Sequence, residues 1–175
     1  MNASIDADSP TTRPRVEGDR EQEIYEATLS VLADAGYDRL TMDAVATAGR
    51  VSKATLYRRW NGKVALVIDA LKSTKGPTVI PDTGNLRDDL LQSYCGVGGL
   101  TDHSSVDTLA SVLTAITRDP EFAAAFRRDV IGPKVAATHT IYARAQTRGE
   151  IRDDVDLELV GGALAGIVLH RHYMA

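Results

Sequence analysis

The chain has 175 residues, 43% apolar and 25% charged, enough to bury a core in one or two domains with ordinary globular composition. Its formal net charge of -4 excludes a uniformly basic surface, so a site for nucleic acid has to come from a local concentration of cations. A single cysteine, Cys95, excludes an internal disulfide and lacks the spaced partners of a zinc site, which fits a reducing cytoplasm.

Residues 1 to 17 carry prolines and acids where a signal peptide needs a cationic start and an apolar core, and they read as a disordered arm. Arg13, Arg15 and Arg20 are candidates for a minor-groove arm, although Asp6, Asp8 and Glu17 dilute the charge. The helical spacing of Ile24, Ala27, Val31, Leu32 and Ala35 predicts a first helix, ended by Gly36. Thr41 then caps a short helix over Met42 to Ala46, with Asp43 favourably placed in its first turn. Gly49 and Arg50 supply a tight turn, and Ser52 caps a third helix that starts with Lys53, Ala54, Thr55, Leu56 and Tyr57. Two short helices joined by a glycine-containing turn are the helix-turn-helix pattern, whose second helix enters the major groove. From Arg50 to Lys63 there are five basic residues and no acidic one, the charge that docking on phosphates requires. The plainer account of such a charge run is a solvated helix face, and Leu56, Trp60 and Val64 at i, i+4, i+8 belong to the core.

With Gly36 and Tyr37 after the first helix, Thr41 opening the second, and Val51, Ser52, Thr55, Leu56, Tyr57, Trp60, Lys63 and Leu66 beyond, the run from Ile24 to Leu66 resembles the N-terminal domain of the tetracycline-repressor (TetR) family of bacterial regulators. The resemblance implies an all-α protein with a DNA-binding domain over residues 18–63 and a helical effector-binding and dimerisation domain over 64–175. It also implies a homodimeric repressor that leaves a palindromic operator when a small-molecule effector binds, with no cofactor. Side-chain chemistry lets Lys53 donate to guanine O6 or N7, and lets Ala54 and the Thr55 methyl touch a thymine methyl. The resemblance gives Thr41, Ser52, Tyr57 and Lys63 to phosphates, contacts that position the protein without reading sequence. Arg58 and Arg59 project about 100° apart on a helix and cannot both face one group. Arg59 is assigned to the DNA backbone and Arg58 is left open. The family has glycine where this chain has Arg50; a positive φ there strains the turn by about 1 kcal/mol, unless Gly49 takes that conformation instead.

Asn61 is expected to cap a fourth helix through Ser73, and the prolines and glycines of Lys75 to Asn85 mark the seam to the second domain. Beyond it only helices are predicted. Leu86, Leu90 and Leu91 begin one that the glycines of 96–99 end or weaken. A second runs over Val106 to Thr117, with Leu109, Val112, Leu113 and Ile116 on one face. Asp119 and Pro120 start a long one from Glu121 to Arg148, kinked at Pro133 and closed by Gly149, and Asp154 or Asp156 caps the last, from Leu157. Leu91, Tyr94, Leu113, Ile116, Phe122, Phe126, Ile141 and Tyr142 are candidates to line an apolar effector pocket, with core packing as the simpler role for each. Leu157, Gly161, Gly162, Leu164, Ala165, Val168 and Leu169 form a small apolar surface suited to close helix contact, and three internal glycines call for a packing reason. The family dimerises through its last two long helices; the second of these is not present before Ala175, which implies a truncated chain or a shortened interface. The longest apolar run, Val160 to Leu169, is about half of the roughly 20 residues that cross a bilayer, so no membrane partner is expected.

Enzymatic readings find little support. His170 and His172 stand two apart on a helix and do not share a face, and no HExxH, GxSxG or phosphate-cradling loop is present. The remaining alternative is a helical ligand-binding or protein-interaction module without sequence-specific DNA binding, for which Lys53, Thr55, Tyr57 and Lys63 together would be superfluous.

Overall fold

The computed structural model describes residues 17–74, 78–95 and 106–173, and among these every regular element is a helix. Helix α1 (Glu17–Ala35) lies centrally, packed on α2 (Met42–Ala48), α4 (Lys63–Ser73) and α6 (Val106–Arg118). Its end is set by Gly36, whose φ of 78° puts it in the left-handed region that side chains resist. Helix α3 (Lys53–Arg59) stands against α2. Leu32, Leu40, Val45, Leu56, Trp60 and Leu66 close the head around α1, and the same apolar cluster continues through Val112 and Phe122 into the body.

Helix α4 starts one residue later than the sequence suggests. Its cap is Gly62, with extended backbone and no side-chain hydrogen bond, while Asn61 is exposed. The chain is turned there by Trp60, whose backbone is extended and whose indole Nε1 donates to Asp69 at 3.0 Å, so the side chain on α4 holds the bend.

In the body, α5 (Leu86–Cys95) and α9 (Leu157–Tyr173) both pack on α8 (Gly132–Thr147). The glycines of 96–99 and the arm residues Arg13 and Arg15 lie outside the described residues. The long helix expected from Glu121 to Arg148 is three pieces: α7 (Pro120–Phe126), a π-helical turn (Arg127–Ile131) and α8. Gly132 donates to the Arg127 carbonyl five residues back, and this wider turn absorbs the donor that Pro133 lacks. Asp119 caps α7 by accepting from Phe122 N at 3.0 Å. The end of α8 is a Schellman closure, with Gly149 at φ 76° and Glu150 N donating to Ala145 O at 2.9 Å. Between the two candidate caps of α9 the structure selects Asp156, whose Oδ1 accepts from Glu158 N and Leu159 N, each at 3.0 Å.

Two polar junctions fix the architecture. Between head and body, the Tyr37 hydroxyl donates to Asp119 Oδ2 at 2.6 Å, the Tyr37 ring lies 4.7 Å from Phe122, Ser111 donates to the Leu32 carbonyl, and Arg118 pairs with Asp38. Burial, with Asp119 as hydrogen-bond acceptor, raises the Tyr37 hydroxyl well above the usual tyrosine range, and the same bond holds Asp119 below the usual carboxylate range. At the seam, Asp89 is fully buried and accepts from Thr83 N at 2.7 Å and Thr83 Oγ1 at 2.8 Å, with Arg148 at 3.4 Å. Burial alone raises the Asp89 carboxyl, but the Thr83 donors and Arg148 outweigh it and keep it below its ordinary value.

Candidate nucleic-acid interface

The helix-turn-helix is built from two short capped helices. Thr41, in extended backbone, accepts from Ala44 N at 3.1 Å, and Ser52 accepts from Thr55 N at 3.1 Å. Each hydroxyl so used keeps its proton and a second lone pair. Ser52 Oγ and Thr55 Oγ1 are 2.9 Å apart, so one of the two hydroxyl protons is spent between them and the other stays available to a phosphate.

The turn resolves the alternative at Gly49 and Arg50 against the glycine. Gly49 is right-handed, with φ -80°, and Arg50 takes the left-handed conformation at φ 51°. Space at 49 is tight: a Cβ there would stand 3.2 Å from the Val45 carbonyl oxygen, which would have to give by a few tenths of an ångström, and in ordinary contact, 3.5 Å, with the Ala27 Cβ on α1. The Arg50 carbonyl in turn receives Arg20 Nη2 at 2.8 Å. Arg20 is thus committed to the turn and, through Nη1 at 2.9 Å, to Glu23; it belongs to α1 rather than to a free arm.

On α3 the cations are placed differently from one another. Lys53 Nζ is 2.6 Å from Asp43 on α2, in a solvent-exposed pair. Arg59 pairs with Glu21 on α1, and its guanidinium lies 5.8 Å from the Trp60 ring centroid. Arg58 is exposed and makes no ion pair among the described residues. Tyr57 is 55% exposed, Ala54 is exposed and Thr55 half-buried, whereas Leu56 and Trp60 are buried as core. Lys63, at the start of α4, folds back on Tyr37: its ammonium is 4.1 Å from the ring centroid and donates to the Tyr37 carbonyl at 3.3 Å. It therefore sits at the hinge, and it reaches a phosphate only by leaving that ring. Sequence reasoning missed Glu21 and Asp43 as partners of α3, and Arg20 as the partner of the turn before it, because these contacts join separate elements; the charges themselves were the signal.

The residues expected to line one effector pocket fall into separate places. Phe122 and Phe126 stack at 5.9 Å under Tyr37 in the head–body core, with Ile116 packed against the same cluster. Tyr94, Ile141 and Tyr142 are buried where α5, α8 and α9 meet. Leu91 and Leu113 are exposed, 46% and 55%, because α5 and α6 turn those positions away from their packing partners. The Tyr142 hydroxyl is buried without a hydrogen-bond partner among the described residues, and burial pushes it up to about 12. Two surface clefts among the described residues lie elsewhere: one of about 360 Å³ is bounded by Tyr37, Arg39, Ser111 and Thr114, and another of about 490 Å³ by Arg20, Glu26, Ser30 and Arg50. On α9, Gly161 faces α8, where an added Cβ would stand 3.5 Å from the Tyr142 ring, an ordinary van der Waals contact, so this position packs on α8 without requiring glycine. Leu157, Leu164, Ala165, Val168 and Leu169 are half-buried with it, and Gly162 is on the exposed side with Leu159, Val160, Ala163, Gly166 and Ile167.

Residues 24–70 match the family described as bacterial regulatory proteins, tetR family, and residues 80–175, more than half of the chain, match the tetracyclin repressor-like C-terminal domain. The chain belongs to the TetR family. It is a TetR-family transcriptional regulator with a helix-turn-helix DNA-binding domain. An uncharacterized HTH-type transcriptional regulator of Mycobacterium tuberculosis is 38% identical over 169 residues, covering 94% of this chain and 81% of its own. The DNA-binding transcriptional repressor TetR of Mycobacteroides abscessus is 31% identical over 155 residues, with 87% and 81% covered. The TetR fold recurs in a transcriptional regulator from Pseudomonas aeruginosa PAO1, at TM-score 0.72 and 20% identity over 90% of this chain and 80% of the other. Salmonella enterica GusR gives TM-score 0.66 at 22% identity, covering 91% and 83%. Among the described residues no helix is long and apolar enough to cross a membrane.

Proposed function

We propose that this TetR-family chain is a cytoplasmic, homodimeric repressor that binds a palindromic operator through residues 41–63 and is released by a small-molecule effector held in the helical body. The observation that carries the reading is the surface of α3, where Lys53, Ala54, Tyr57 and Arg58 are exposed together beyond the cap Ser52, while Leu56 and Trp60 anchor the helix from behind. One such helix reads only a few base pairs, so two copies about a two-fold axis are needed for a specific site. The exposed apolar positions of α9, Leu159, Val160, Ala163 and Ile167, support a second copy as the partner of that helix. The buried, unpaired Tyr142 hydroxyl beside Tyr94 supports an effector that brings a hydrogen-bonding group into a mainly apolar body.

The test is fluorescence anisotropy against the intergenic duplex upstream of the protein's own gene and a shuffled duplex at several salt concentrations. Tight binding to the first with a steep salt slope is expected. Equal, weak binding to both overturns the reading in favour of a helical interaction module. Tyr57→Ala is expected to weaken both duplexes and flatten the slope, Lys63→Ala to do the same, and Lys53→Ala mainly to relax sequence choice.

A further inference from the structure

The carboxylate of Asp43 occupies the helix next to the reading helix, and its partner is the cation assigned to base edges. Lys53 begins α3 and Asp43 lies in the first turn of α2; ammonium and carboxylate are 2.6 Å apart and each side chain is about 60% exposed. The Asp43 stem is short and fixed to a capped helix, whereas the Lys53 stem is flexible, so the carboxylate decides where the ammonium rests. An ammonium has three donors and no acceptor. Spending one on Asp43 leaves two, enough for the O6 and N7 of a guanine, while the charge that any phosphate would attract is cancelled.

We propose that Asp43 is a specificity-determining residue: it neutralises Lys53 toward the DNA backbone and leaves its remaining N–H groups free to read bases. The pair then adds little to binding of arbitrary DNA, which is governed by net charge and counterion release, and adds fully where a base edge offers acceptors. The inference rests on the base-reading role given to Lys53 under the proposed function.

The experiment compares a random-sequence duplex with a duplex selected by the protein from a randomised pool, using anisotropy at several salt concentrations. Asp43→Asn is expected to raise affinity for the random duplex by about three- to eightfold near 0.1 M salt and to steepen its salt slope by up to about 0.9, the value of one phosphate contact. Affinity for the selected duplex changes less, so discrimination falls. Asp43→Ser, which keeps a residue suited to a helix start, should behave alike and so separates charge from folding. In a Lys53→Ala background the effect of Asp43→Asn should vanish. Persistence there would mean plain repulsion of phosphates by the carboxylate and overturn the proposal, as would unchanged discrimination in Asp43→Asn. Should Lys53→Ala alone lose equally on both duplexes, the base-reading assignment itself fails.

Discussion

Replacing Tyr37 by Phe isolates one bond between the DNA-binding head and the body. The ring, with its 4.7 Å approach to Phe122 and the Lys63 ammonium 4.1 Å above it, is kept; only the hydroxyl that donates to Asp119 at 2.6 Å is lost. A hydrogen bond to a charged acceptor contributes about 1.5–3 kcal/mol. Asp119 is half-buried and keeps Phe122 N as donor, so water replaces part of what is removed, and the loss belongs to the low end, about 1.5–2 kcal/mol. For a chain of this size that lowers Tm by about 3–8 °C. Urea unfolding followed by the single tryptophan, Trp60, at one protein concentration measures it, since Trp60 is 3% exposed and bonded to Asp69 within the head. A cycle with Asp119→Asn should show coupling of about 1 kcal/mol or more. A loss in Tyr37→Phe under about 0.5 kcal/mol, or additive single variants, would refute the junction as described.

Arg50→Gly relieves the left-handed backbone at φ 51° while keeping the carbonyl that Arg20 holds; after the entropy cost of glycine, a gain of up to about 1 kcal/mol in urea unfolding is expected. Asp89→Ala removes the acceptor of both Thr83 bonds from a fully buried position, and a loss of about 2–3 kcal/mol in the same assay is expected. Tyr25 and Tyr37 are both held above the ordinary value of 10.0, chiefly by burial, so their stabilisation is complete below pH 10 and lost as pH rises beyond it. Thermal melts from pH 8 to 11 should show that alkaline decline, less steep in Tyr37→Phe. Asp89 and Asp119 are depressed from 3.8, so their contribution is present above that pH and lost as the pH falls below it; melts between pH 5 and 2 check this, with Asp89→Ala showing a shallower fall.

Local rules made much of this molecule legible. Thr41, Ser52, Asp119 and Asp156 cap the helices that their positions indicate, because an N-cap depends on residues two or three positions away. What could not be read depends on distant chain. Arg50 takes the left-handed conformation while Gly49 beside it is right-handed, and nothing within the turn itself announces which of the two does so. Leu113 shares a helical stripe with Val112 and Ile116 yet is exposed, since the stripe is wider than the face that α1 and α7 cover. Lys63 carries the charge expected of a phosphate ligand, but its resting place over Tyr37 follows from a contact 26 residues away. The candidate DNA-facing residues stand together in the sequence; the acids paired with Lys53 and Arg59 do not, because a salt bridge between helices leaves no spacing in the sequence.

The widened turn at Arg127–Ile131 acts as a phase shift between the two cores of the body. Before it, Phe122 and Phe126 serve the head; after it, Ile141, Tyr142 and Ala145 serve α5 and α9. One extra residue in a helical turn rotates everything downstream by about 100° relative to a regular helix. Deleting a single residue between 127 and 131 would therefore swing the buried side of α8 into water while leaving every individual helix well formed. In this rod the number of residues, more than their identity, keeps the two halves facing their proper neighbours.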